Sequence, residues 1–90
     1  MKQPRPCKAK GVLSKTLRGE TVILKKDSWQ CYLLNPAASY TWRLCNGENS
    51  VKNLVDSLSG KYGIKKSLAR KDIGKLLSCL KKRGLIDRVN

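Results

Sequence analysis

The dipeptide Asn35-Pro36 splits the chain into two parts with different hydrophobic periods. Before it, three short runs rich in branched, aliphatic and aromatic residues are separated by turn-forming residues. Val12 to Leu17 alternates weakly, Thr21 to Lys25 is dense in branched side chains, and Trp29 to Leu34 mixes aromatic and aliphatic residues. Arg18-Gly19-Glu20 and Lys26-Asp27-Ser28 interrupt them, which predicts a three-stranded antiparallel meander. In a meander the middle strand is paired on both sides. The first and third strands are left as edges with unpaired backbone groups.

At Asn35 the pattern changes to spacings of three and four. An Asn side chain accepts from the free N–H groups of a first turn, and Pro supplies helical φ at the first position without wasting a donor. Helix one is expected from there to about Asn46, stopping at Gly47, with Ala37, Ala38, Thr41, Trp42, Leu44 and Cys45 as its apolar stripe and Trp42 as a core anchor. Ser50 opens helix two, whose buried face is expected to be Val51, Leu54, Val55, Leu58 and Tyr62 before Gly63. Ser67 is expected to open helix three, with Ile73, Leu76, Leu77 and Leu80 facing inward and Gly84 ending it after Lys81-Lys82-Arg83. Leu85, Ile86 and Val89 then pack back on the core. The expected fold is therefore α+β and winged helix-turn-helix-like, a three-stranded antiparallel sheet followed by three helices.

Ninety residues make one small domain, which buries only about 60% of the surface exposed by the unfolded chain and leaves little room for a deep catalytic pocket. Met1 to Lys10 holds prolines and cations with little to bury, so it reads as a flexible basic arm preceding a domain over 11–90. Twenty Lys and Arg against six Asp and Glu give a formal charge of +14. Such a chain repels its own copies and attracts an anion, whether nucleic acid, membrane or an acidic protein segment. No apolar stretch reaches the roughly 20 residues of a spanning helix, and residues 1–10 lack a signal-peptide apolar core, so the cytoplasm is the expected compartment. Cys7, Cys31, Cys45 and Cys79 are scattered without a CxxC spacing and the chain has no histidine. Free thiols acting as small hydrophobes are therefore expected, a disulfide or an all-cysteine metal site drawn from distant elements being the lesser alternatives, and no cofactor is expected.

An enzyme is not expected. Glu20, Asp27, Glu48, Asp56, Asp72 and Asp87 are single and dispersed, and no phosphate-binding glycine loop occurs. Asp72 sits early in helix three on a side shared with Leu76, Cys79 and Arg83, and also fits a plain favourable charge near a helix N-terminus. Nucleic-acid binding is the alternative reading. Lys65, Lys66, Arg70, Lys71, Lys75, Lys81, Lys82 and Arg83 give helix three and its flanks a cationic surface that suits a DNA groove. Against it, no Asn or Gln lies between Lys61 and Val89 to read bases, and no β-hairpin wing is expected after helix three. The third strand points elsewhere. Trp29-Gln30-Cys31-Tyr32-Leu33-Leu34 is an edge strand too apolar on both faces to be left bare. With helix three beside it, strand and helix form two walls of a groove that an extended peptide would enter as a fourth strand.

The order Tyr32-Leu33-Leu34-Asn35-Pro36, Trp42-Arg43-Leu44-Cys45-Asn46-Gly47, Leu54 to Leu58, Tyr62, Lys71-Asp72-Ile73 and Leu80 to Ile86 resembles the pyrroloquinoline quinone biosynthesis protein D (PqqD)-like family. These are leader-peptide recognition elements of ribosomally made, post-translationally modified peptides (RiPPs). The resemblance spans roughly Val22 to Val89. It implies a winged-helix-like fold and a chaperone role without catalysis: the leader of a precursor peptide binds as an added strand along the third strand, against helix three, and the core peptide is presented to a modifying enzyme, often a radical S-adenosylmethionine (SAM) protein. The implied groove is walled by Trp29, Gln30, Cys31, Tyr32 and Leu33 on the strand and by Asp72, Lys75, Leu76, Cys79 and Arg83 on the helix. A net charge higher than the family's usual one suggests an acidic leader. A purely scaffolding adaptor is a third reading, after DNA binding.

Overall fold

The computed structural model describes residues 5–87. Its elements are β1 (Cys7–Lys8), β2 (Val12–Leu17), β3 (Glu20–Lys25), β4 (Gln30–Leu34), α1 (Pro36–Leu44), α2 (Val51–Tyr62), α3 (Lys66–Lys82) and β5 (Ile86–Asp87). The meander is present as an antiparallel sheet in the order β2-β3-β4, followed by the three helices. Arg18 and Gly19, with φ of 54° and 81°, make the two-residue turn between β2 and β3, whose twist suits a tight hairpin. The β3–β4 register runs from Thr21↔Leu34 to Lys25↔Gln30.

Register fixes which side chains share a face, because successive residues of a strand alternate. Val12, Ser14, Thr16, Thr21, Ile23, Tyr32 and Leu34 face the helices, and Thr21, Ile23 and Leu34 are buried there. Thr16 and Thr21 share a hydroxyl hydrogen bond of 2.8 Å across the β2–β3 pair. Leu13, Leu17, Val22 and Leu33 lie on the opposite face and are exposed. Trp29 is not the first strand residue. Its N–H donates to the Lys25 carbonyl at 2.8 Å, closing the turn and forcing φ to 57°, so β4 begins one residue later and the indole is 75% exposed.

The helices follow from their caps. Asn35 Oδ1 accepts from the Ala38 N–H at 2.8 Å, and the Ser39 hydroxyl donates to the Leu34 carbonyl at 3.2 Å, so the end of β4 and the start of α1 are tied together. Trp42 is buried and its Nε1–H donates to Ser14 Oγ at 3.1 Å, anchoring α1 to the sheet. α1 stops at Leu44, short of Asn46, because the Asn49 side chain takes the Leu44 carbonyl at 3.0 Å. Ser50 caps α2 through the Asn53 N–H, and Gly63, at φ 63°, ends it. Tyr62, expected to be buried, is 42% exposed and meets Tyr40 edge-on with ring centroids 6.2 Å apart.

α3 starts at Lys66 rather than at Ser67, with Lys65 as an N-cap that makes no side-chain cap hydrogen bond. The short connection is tied by the Ser59 hydroxyl donating to the Ile64 carbonyl at 2.6 Å. Ala69, Ile73, Leu77 and Leu80 form the buried stripe, while Leu76 is only half-buried at its border. Gly84 at φ 73° reverses the chain, Leu85 N–H donates back to the Leu80 carbonyl at 2.9 Å, and Leu85 and Ile86 enter the core. Val89 lies outside the described residues.

The segment before Gly11 is not free in its described part. β1 pairs antiparallel with β5 as a separate two-stranded sheet, Pro6 is buried, and its carbonyl accepts from the Gly47 N–H at 2.9 Å. Lys8 donates to the Cys45 carbonyl at 3.4 Å with its ammonium 5.2 Å from the centre of the Trp42 ring. The backbone leaving α3 needs a hydrogen-bonding partner, and this segment supplies it.

Candidate functional site

β4 pairs with β3 on one side and, among the described residues, has no strand on the other. An edge of this length with exposed apolar side chains is a template for an added strand. α3 runs alongside in the opposite direction: Asp72 lies near Asn35 at the C-terminal end of β4, and Arg83 lies over Tyr32 toward its N-terminal end. The two elements thus border one trough.

The ends of the trough differ in chemistry. Beyond Leu34 there is a cavity of about 350 Å³ lined by Asn35, Ala37, Ala38, Thr41, Leu58, Asp72, Ile73 and Leu76. It is small for a ligand pocket and suited to one large apolar side chain. One of its walls is the first turns of α1, where Ala37 and Ala38 are small, and the others are Leu58 of α2 and Asp72, Ile73 and Leu76 of α3. At the other end Lys75, Ser78, Cys79, Lys82 and Arg83 line an open cationic surface. The Arg83 guanidinium carbon stands 5.1 Å from the centre of the Tyr32 ring, Arg83 Nε–H donates to Cys79 Sγ at 3.3 Å, and the Tyr32 hydroxyl donates to Gln30 Oε1 at 2.6 Å. Hydrogen bonds, first to Cys79 and then to Tyr32, hold the Arg83 pKa above its already high ordinary value. The guanidinium is therefore a permanent cation, fixed over an aromatic face. The Arg83 carbonyl accepts from the Lys25 ammonium at 3.1 Å, which ties the end of α3 to the sheet.

The ten residues singled out in the sequence do not all look into one groove. Gln30 and Tyr32 face the helix side, where Arg83 lies over Tyr32 and Cys79 bonds Arg83, while Asp72 and Leu76 line the cavity beyond Leu34. Cys31 and Leu33, one residue out of phase, face the opposite side of the sheet, and Trp29 stands out on the turn. Lys75 lies with Cys79 and Arg83 on the cationic surface. Asn35, Ala37, Ala38 and Thr41 were missed as lining residues. The small side chains of Ala37, Ala38 and Thr41 in the apolar stripe of helix one were the available signal.

The thiols divide by burial. Cys31 and Cys79 are exposed, Cys7 is half-buried and Cys45 is buried. Loss of solvation pushes the Cys45 thiol up to about 11.

Residues 20–86 match the family model described as Coenzyme PQQ synthesis protein D (PqqD). Among solved structures, TbiB1 in complex with the TbiA(beta) leader peptide has a TM-score of 0.86 at 19% identity, covering 93% of this chain and 98% of that one. Lasso peptide synthetase B1 complexed with its leader peptide has a TM-score of 0.83 at 19% identity, covering 92% and 98%. The solution structure of the PqqD truncation of Methylobacterium extorquens PqqCD, described as a functional and stand-alone RiPP recognition element, has a TM-score of 0.75 at 22% identity, covering 92% and 88%. At these identities the likeness is one of fold. No curated protein sequence matches the chain.

Proposed function

Since the chain belongs to the coenzyme PQQ synthesis protein D family, we propose that it is a standalone, non-catalytic binder of the leader segment of a ribosomally made precursor peptide, which it presents to a modifying enzyme such as a radical SAM protein. The observation that carries this reading is the free edge of β4 lying beside α3. The leader adds to β4 as a further strand, its backbone satisfying the open N–H and C=O groups, and its side chains are read by the trough and by the exposed strand residues. Trp29, Gln30, Cys31, Tyr32 and Leu33 meet it on the sheet, and Asp72, Lys75, Leu76, Cys79 and Arg83 on the helix.

The formal charge of +14 and the cations along α3 favour an acidic leader, captured faster at low salt. The likeness to solved structures described as leader-peptide complexes supports the same reading. We place the encounter in the cytoplasm, where the precursor is made. Among the described residues no helix is long and apolar enough to cross a membrane.

The test is competition between ligand classes. Fluorescence anisotropy of labelled acidic leader peptides and of a short DNA duplex is measured against the intact chain and against Tyr32→Asp and Lys71→Ala/Lys75→Ala variants. Peptide binding at physiological salt, lost in Tyr32→Asp, supports the reading. Binding of duplex only, lost in the lysine variant and steeply weakened by salt, would replace it with nucleic-acid binding.

A further inference from the structure

Pairing in a sheet sends alternate side chains of an added strand to opposite faces, and the two faces beside β4 ask for different chemistry. On the helix side the apolar cavity lies beyond Leu34 and the cationic surface around Arg83 lies toward Gln30. On the other side the register aligns Lys15, Val22 and Leu33 in one row and Leu13, Leu24 and Cys31 in the next. Both rows end at the free edge in exposed side chains, Leu33 at 68% and Cys31, and Leu13, Lys15, Val22, Leu24 and Leu33 border a hollow of about 500 Å³. A peptide side chain pointing to that face lands beside Leu33 or Cys31 and covers them.

We infer that the peptide is selected by a fixed order along its strand: an apolar residue for the cavity, apolar residues at the second and fourth positions beside Leu33 and Cys31, and a carboxylate at the fifth, on the Arg83 side. The inference rests on the reading of the β4 edge as the peptide site and deepens it. Antiparallel pairing, the slightly more stable mode, puts the first position opposite Leu34, the third opposite Tyr32 and the fifth opposite Gln30. The charges make the order directional. Asp72 lines the cavity end and makes no ion pair among the described residues, so a carboxylate placed first would meet a like charge, whereas one placed fifth, opposite Gln30, lies on the side of Arg83, whose carbonyl is held by Lys25, the partner of Gln30 in the sheet. On the outward face, apolar cross-strand partners for Leu33 and Cys31 extend the rows that β2 and β3 already form.

The experiment selects short strands from a randomised peptide display library on the full chain, then measures three synthetic peptides by anisotropy and by backbone amide shifts of β4. The first follows the inferred order, the second carries the carboxylate at the first position instead of the fifth, and the third has serine at the second and fourth positions. The expected result is enrichment of the inferred order and about fivefold weaker binding of the second peptide, the scale of one exposed charge contact. Arg83→Glu is expected to erase that preference, the second peptide then binding no more weakly than the first. If peptides shift the β4 amides with no preference of order, or with the reverse order, the inference fails and the edge reading stands. If no library member shifts those amides, the edge reading falls and the inference with it.

Discussion

Leu76 and Leu77 are sequence neighbours with opposite assignments, and truncating each to alanine separates the trough from the core. Leu77 is 3% exposed and packs in the central cluster with Ile73 and Leu80. Removing its buried methyls and leaving a cavity costs about 3 to 5 kcal/mol. Leu76 is half-buried, packing on the cluster from outside and forming a wall of the 350 Å³ cavity. Half of the roughly 2 kcal/mol transfer gain of a leucine, with space already open beside it, puts Leu76→Ala at about 1 kcal/mol. A domain of this size has on the order of 5 to 10 kcal/mol in all, so Leu76→Ala remains folded while Leu77→Ala is close to losing its fold. Urea denaturation followed by tryptophan emission reads both, since Trp42 is buried and reports the core. For binding, Leu76→Ala removes a cavity wall and is expected to weaken a peptide with an apolar first residue about tenfold, near 1.4 kcal/mol. A stability loss for Leu76→Ala matching that of Leu77→Ala, or unchanged peptide affinity, would refute the assignment of Leu76 to the trough.

The glycines give predictions of both signs. Gly60 and Gly74 lie inside α2 and α3 with nothing within 4 Å of an added Cβ, so alanine at either is expected to raise stability by about 0.5 to 1 kcal/mol in the same urea assay. Gly84 holds φ +73° beneath the Lys25 ammonium, and Gly84→Ala is expected to cost about 1 kcal/mol, chiefly from the backbone because the lysine end can move aside. Burial raises the Cys45 thiol from 9.0 to about 11, so its neutral form stabilises the fold fully below pH 9 and that contribution fades as pH rises toward 11. About 2 to 3 kcal/mol of the alkaline loss should therefore vanish in Cys45→Ala, measured as the difference between the two chains' stability profiles over that window. In the folded chain a bulky thiol reagent is expected to label Cys31 and Cys79 first and Cys45 last.

What was legible in the sequence was local chemistry. Asn35 before Pro36, Ser50 before an apolar run, Gly63 after that same run and Gly84 after the next each serve backbone groups within a few residues, so they mark helix ends regardless of the surrounding fold. The start of α3 falls before Ser67 because Lys65 caps it without a side-chain bond, so no cap residue marks it in the sequence. Tyr62 carries the right spacing for a buried residue, yet its ring closes on Tyr40 at the surface. The pairing of Cys7–Lys8 with Ile86–Asp87 joins segments far apart in sequence, and a two-residue strand has no period to detect. The candidate site was half legible. An over-apolar edge strand can be recognised from composition, whereas the division of Gln30 to Leu33 between two faces depends on where the turn ends, and Trp29 takes the extra turn position. The alanine-lined cavity needed the distance between α1 and α3, which no spacing in one helix encodes.

The central claim is that a peptide completes the β4 edge. The measurement that tests it most directly is an isotope-edited NMR experiment on labelled chain with unlabelled bound peptide, recording nuclear Overhauser contacts between peptide backbone protons and those of Gln30 to Leu34. The account predicts a continuous cross-strand ladder along β4, with peptide side chains alternately near Leu76 or Arg83 and near Leu33 or Cys31. Contacts confined to α3, with no ladder to β4, would contradict it.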